Sequence, residues 1–126
     1  MDDFLYKEEG FNIIGCFFAV YNALGPGFLE SVYQEALSIE FKKKNIPFVR
    51  EPKIEVYYHD EKLNKFFKAD FVCYNDIIVE TKAQKFVTKS DTDQVLNYLK
   101  ATKCKLAYLV NFGGDKIYYK RFINNR

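Results

Sequence analysis

The stretch IIVETKAQ, residues 77–84, decides how this chain folds. Ile77, Ile78, Val79 and Thr81 suit a buried strand, yet Glu80 and Lys82 bring two charges into it. Side chains alternate along a strand, so Ile77, Val79 and Thr81 share one face while Ile78, Glu80 and Lys82 share the other. The preceding segment, Lys65–Cys73, reads as a second strand with Phe67, Ala69, Phe71 and Cys73 on one face. Its opposite face carries Lys68, Asp70 and Val72. A three-residue loop at Tyr74-Asn75-Asp76 sets Cys73 opposite Ile77, Phe71 opposite Val79, and Asp70 opposite Glu80. The apolar sides then coincide, which supports that register independently. A two-residue Asn75-Asp76 turn would oppose Asp70 to Thr81 and mix the faces, and Asn-Asp is a poorer two-residue turn than Asn-Gly.

Outward from this pair, residues 8–24 place Phe11, Ile14, Phe18 and Tyr21 at helical intervals and stop at Gly25-Pro26-Gly27. A second helix is expected over about residues 28–44, where Leu29, Val32, Tyr33, Ala36, Leu37 and Phe41 recur at helical spacing. Lys42-Lys43-Lys44 suits its C-terminal dipole, and Asn45 and Pro47 end it. Lys53–Tyr58 is a further strand, closed by His59-Asp60-Glu61. A helix from about Thr92 to Thr102 follows Ser90 and Asp91, which read as caps. Leu106–Phe112 is apolar enough for a central strand, and Gly113-Gly114-Asp115 turns the chain into a last strand, Lys116–Phe122. The expected order is α-α-β-β-β-α-β-β, an α/β or α+β arrangement around a mixed sheet.

With 126 residues the chain is expected to form one domain, residues 1–126, large enough to bury its own core. Its 48% apolar and 29% charged residues exclude a disordered or membrane-spanning class. The apolar run Ile13 to Val20 is too short to cross a bilayer. A net charge of +2 permits a nucleic-acid partner without requiring one. Cys16, Cys73 and Cys104 are odd in number and widely spaced, and no signal peptide precedes them, which suits reduced thiols in the cytoplasm. His59 is the only histidine and lies in a polar turn, so zinc and histidine-dependent hydrolysis are not expected. Apolar surface on the Asn12–Val20 helix is compatible with a homodimer.

Opposed carboxylates at Asp70 and Glu80 destabilise a sheet unless something neutralises them. Lys68 and Lys82 would do so on an ordinary mixed-charge face. A hard divalent cation would do so too, because carboxylate oxygens are the ligands Mg²⁺ prefers. Gln94 and Tyr98 stand four residues apart and share a helix face, as do Glu30 and Tyr33 at three. Both pairs also fit capping or core roles. Lys42-Lys43-Lys44 and Lys100, Lys103 and Lys105 are candidate phosphate contacts, and Tyr57-Tyr58 and Tyr118-Tyr119 are candidate stacking partners for bases.

Asp70 and Glu80-Thr81-Lys82 resemble the aspartate and Glu-x-Lys signature of the PD-(D/E)XK nuclease superfamily. Gln94-Val95-Leu96-Asn97-Tyr98 is similar to the Gln-x-x-x-Tyr helix motif of its recombination-type exonuclease branch. Gly27-Phe28-Leu29-Glu30-Ser31-Val32-Tyr33 resembles the defining string of the small GxxExxY family. Asn97-Tyr98-Leu99-Lys100-Ala101-Thr102 and Val110-Asn111-Phe112-Gly113 resemble its later blocks, so the likeness runs from about Phe11 to Arg121. It implies a restriction-endonuclease-like core, with a mixed four- to five-stranded sheet flanked by helices. It further implies Asp70 and Glu80 as ligands of Mg²⁺ or Mn²⁺ with the Thr81 carbonyl, and Lys82 as the catalytic lysine. Glu30 would lie near the metal or its water, and Gln94 and Tyr98 would line the site. Two departures stand out: Ala69 replaces the proline before Asp70, and Thr81 replaces an aliphatic residue. Thr81 is expected to point away from the metal. The implied function is metal-dependent hydrolysis of phosphodiester bonds in nucleic acid, DNA above all. The alternative is a non-catalytic nucleic-acid- or protein-binding domain on the same scaffold.

Overall fold

The structure is a computed structural model and describes residues 5–124. Its elements run α1 (Lys7–Leu24), α2 (Glu30–Lys43), β1 (Phe48–Arg50), β2 (Lys53–Tyr58), β3 (Glu61–Lys68), β4 (Phe71–Cys73) and β5 (Ile77–Lys82). After these come α3 (Lys89–Ala101), β6 (Leu106–Asn111) and β7 (Tyr118–Ile123). A five-stranded sheet has the order β1-β4-β5-β6-β7, and β2 and β3 form a separate two-stranded sheet. Only β5 and β6 pair in parallel within the larger sheet, and α3 is the crossover a parallel pair requires. Both strands are buried on both faces, as their apolar sequences demand.

One core lies between the sheet and the first two helices. Ile13, Phe17, Leu37 and Phe41 meet Ile77, Val79, Tyr108 and Val110 there. A second core on the opposite face joins Val95 and Leu99 of α3 to Ile78, Ala107 and Leu109. The Asn12–Val20 stretch sends Ile13, Cys16, Phe17 and Val20 into the first core, leaving Phe18 as its partly exposed aromatic. Among the described residues, no helix is long and apolar enough to cross a membrane.

The β4–β5 register is the one that aligns the apolar faces: Phe71 opposite Val79 and Cys73 opposite Ile77. Tyr74 and Asn75 take left-handed backbone conformations in the three-residue loop. The expected strand Lys65–Cys73, in contrast, is broken at Ala69-Asp70. Phe67 and Ala69 pack into the second core, whereas Phe71 and Cys73 pack into the first. The upstream half pairs instead with β2 as a projecting hairpin. Phe48–Arg50, unrecognised in the sequence, takes the vacated edge beside β4. Helix α3 starts three residues earlier than expected, because Thr88 rather than Ser90 or Asp91 is its N-cap. Thr88 and Asp91 form a reciprocal capping box.

Tyr33 explains why the Gly25-Pro26-Gly27 turn is held so tightly against α2. Its ring is fully buried and stacks on Phe112 with centroids 4.7 Å apart. Its hydroxyl donates to the Gly25 carbonyl at 2.6 Å and accepts from the Phe28 N–H at 3.2 Å. Tyr33→Phe keeps the stack and removes both bonds, so a loss of roughly 1–2 kcal/mol is expected in urea unfolding. An unchanged midpoint would show that the turn does not depend on that hydroxyl.

Candidate active site

The first residues of α2 and α3 converge with the C-terminal end of β5. The carboxyl ends of parallel strands are where open α/β sheets place their ligand sites. Glu80 is 3% exposed and Thr81 is fully buried, while Asp70 sits just before β4 begins. The Asp70 N–H donates to Glu80 Oε1 at 2.7 Å. Asp70 Oδ2 in turn accepts from the Thr81 N–H and the Thr81 hydroxyl, each at 2.7 Å. The two carboxylates are therefore not opposed across a regular ladder. The chain break at Asp70 frees its side chain to turn toward Thr81, and each carboxylate is held by an N–H of the other segment.

This geometry corrects the expectation for Thr81. Its side chain does not point away from the acidic pair, since it anchors Asp70. It also accepts from Gln34 Nε2 at 3.0 Å, and the same nitrogen reaches Glu30 Oε1 at 3.4 Å. A chain of polar contacts thus runs Glu30, Gln34, Thr81, Asp70. Gln34 escaped the sequence reading, although it lies one helical turn after Glu30, where it had to be a neighbour.

Lys82 extends from the end of β5 toward α3. Its Nζ donates to Gln94 Oε1 at 3.1 Å and pairs with Asp91 Oδ1 at 3.8 Å. Asp91 is the second residue missed: read only as a cap, it serves the capping box and Lys82 together. The amide of Gln84 also donates to Asp91 Oδ2. Tyr98 packs its ring against Phe67 at 5.1 Å and directs its hydroxyl to the Lys68 carbonyl at 3.5 Å. Lys68 itself lies in the hairpin and pairs with Glu51 at 3.9 Å.

Burial, and after it the Asp70 charge, push Glu80 up to about 8, against the opposing pull of the Asp70 N–H and Lys82. Glu30 is raised by burial and by Asp70, with Lys82 acting the other way. Burial also works to raise Asp91, but the Thr88 hydrogen bonds, Lys82 and Gln84 overcome it and hold the carboxyl below its ordinary value. Tyr98 is raised by burial and then by Glu80 and Asp70. Too much negative charge is gathered here for one lysine to balance.

Among the described residues, no group of three or more His, Cys, Asp or Glu side chains is arranged to hold a metal ion. Magnesium sites commonly use one or two carboxylates and complete their shell with water and phosphate oxygens. By donor chemistry Asp70 and Glu80 fit that kind of site, and a soft or imidazole-seeking metal finds nothing here.

The lysine clusters Lys42-Lys43-Lys44 and Lys100, Lys103 and Lys105 lie elsewhere. They stand at or just past the C-terminal ends of α2 and α3: Lys42 lies roughly 18 Å along the axis from Glu30, and Lys100 roughly 9 Å from Gln94.

Neither a curated protein nor a solved structure matches this sequence significantly. A family model does: that of the PD-(D/E)XK nuclease superfamily matches residues 7–122. Those residues include every element from α1 to β6 and most of β7, and the five-stranded mixed sheet flanked by helices is consistent with such a nuclease-like core. The chain belongs to the PD-(D/E)XK nuclease superfamily.

Proposed function

We propose that this protein hydrolyses phosphodiester bonds in nucleic acid, with DNA as the substrate and Mg²⁺ or Mn²⁺ as cofactor. The observation that carries the reading is the meeting of Glu30 from α2 with Asp70, Glu80 and Lys82 from the sheet end, around a buried excess of carboxylate. Asp70 and Glu80, with the Thr81 carbonyl, would hold the cation. A bound divalent ion supplies Lewis-acid polarisation of the phosphate and lowers the pKa of water.

The chain's own residues do the rest. Asp91 and Gln94 aim the Lys82 ammonium, which stabilises charge developing on the phosphate oxygens. Glu30, whose carboxyl is made more basic by burial and by Asp70, would take a proton from the attacking water. Water is the nucleophile, and no covalent intermediate forms. The resemblance of the Gly27–Tyr33 string to the GxxExxY proteins supports this reading.

Incubating the protein with supercoiled plasmid and an end-labelled single strand, with Mg²⁺ or Mn²⁺, tests it. Lys82→Met is expected to lower cleavage about 10²-fold or more. Equal cleavage by parent and variant, or none on either substrate, overturns the proposal.

One observation favours a second reading, a domain that binds nucleic acid without cutting it. Asp70 and Glu80 already accept hydrogen bonds from the chain, and Lys82 already has two partners. Calorimetry showing no Mg²⁺ or Mn²⁺ binding, with polynucleotide binding unchanged in Asp70→Ala, would establish it.

A further inference from the structure

Beside the carboxylate site runs a second feature with its own chemistry. The loop after β5 and the turn before β7 enclose a groove of about 520 Å³. Lys85, Phe86, Lys89, Lys116 and Tyr118 line it, and Asp115 is the one acidic residue in its wall. Phe86 is 72% exposed and Tyr118 is 39% exposed. No core contact explains an exposed phenylalanine on this loop. The Lys85 ammonium stands 5.8 Å from the centre of the Phe86 ring. Lys89 shares its charge with Asp93 at 2.8 Å. Tyr119, next along β7, faces away and packs against Phe17 and Phe18.

The groove and the site share a wall. Asn111 lines the groove and lies opposite Lys82 in the β5–β6 ladder. Its side chain clamps Gln84 by accepting from the Gln84 N–H at 3.0 Å and donating to the Gln84 carbonyl at 2.8 Å. Gln84 in turn reaches Asp91, the partner of Lys82. Lys85 is three residues after Lys82, so the groove begins within roughly 10 Å of that lysine's backbone.

We infer that this groove receives unpaired nucleotides of a nucleic-acid strand, with a base stacked on Phe86 and the phosphates on either side met by Lys85 and Lys116. Aromatic faces with interspersed lysines suit a single strand, because bases within a duplex are stacked on one another and do not present a free face. The substrate is therefore a single strand, or a duplex with an unpaired end, threaded past Lys82. This deepens the phosphodiesterase reading and rests on it for what happens to the strand, though not for the binding.

Fluorescence anisotropy in EDTA, with a labelled oligothymidylate and a blunt duplex of equal length, separates the two claims. The parent protein is expected to bind the single strand roughly tenfold more tightly than the duplex, and Phe86→Ala to erase that difference. Phe86→Tyr should retain it, since the ring that stacks is kept. Lys85→Ala with Lys116→Ala should weaken binding and flatten its salt dependence. Equal affinity for both forms in the parent, or an unchanged single-strand preference in Phe86→Ala, overturns the inference. A protein that shows the Phe86-dependent preference yet never cleaves overturns the nuclease reading alone.

Discussion

Glu80→Gln is expected to abolish cleavage while leaving the protein at least as stable as its parent at neutral pH. If Asp70 and Glu80 hold a cation as proposed, losing one of them removes several kcal/mol of transition-state stabilisation, on the order of 10³-fold in rate or more. Stability moves the other way because burial and Asp70 lift Glu80 from its ordinary 4.5 to about 8. The native state thus keeps a proton that the unfolded chain gives up. In divalent-free buffer the parent is at full stability below the ordinary value. It loses stability as the pH rises through the window up to about 8, and levels off above it. Glutamine mimics the protonated acid and does not titrate, so the variant should gain on its parent across that window, by an amount on the order of a few kcal/mol. Urea midpoints at about pH 5 and about pH 9 give the comparison. Parallel losses in the two proteins would show that Glu80 is not the group responsible. By the same linkage, Mg²⁺ added to the parent at neutral pH should release protons, since the cation needs the carboxylate ionised.

Gly113→Ala is expected to produce the largest loss of fold. A Cβ there would lie 2.5 Å from the Gln84 carbonyl oxygen and 2.6 Å from the Ala83 carbonyl carbon, and would overlap the Gln84 nitrogen. Nothing at that contact is a flexible side chain, and Asn111 fixes both sides of it, accepting from the Gly113 N–H at 3.2 Å as well as holding Gln84. Overpacking typically costs roughly 1–3 kcal/mol, and a clash with backbone on one side stands at the upper end. Activity should fall further than stability does, because displacing Gln84 disturbs Asp91 and through it Lys82. Thermal unfolding followed by circular dichroism gives the first effect. A midpoint within experimental error of the parent would show that the two segments separate freely.

The register of β4 and β5 was legible because two signals agreed: the apolar faces of both strands coincide in it, and Asn75-Asp76 is a poor two-residue turn. The hairpin was not legible. Phe67, Ala69, Phe71 and Cys73 keep one unbroken alternation, and nothing local says that the chain bends at Asp70 and sends the two halves into different cores. For the same reason the residues of the site were readable, but the handshake between Asp70 and Glu80 was not. A side chain that leaves the ladder no longer obeys the period of two. Asp91 carried a signal that could have been used more fully. Thr88-Lys89-Ser90-Asp91 is a capping-box pattern, and it puts α3 early enough to aim Asp91 back at the end of β5. Gln34 needed only the helical step from Glu30.

The hairpin of β2 and β3 holds to the rest of the protein through Ile54, Phe67 and little else, and a two-stranded ribbon has scant stability of its own. Neither core would notice much change in its length or surface. Its last residues nevertheless lead straight into Asp70. In the history of such a chain this is the part with licence to vary: insertions and new side chains would accumulate at its tip, while Ala69 and Asp70 at its root would be held in place.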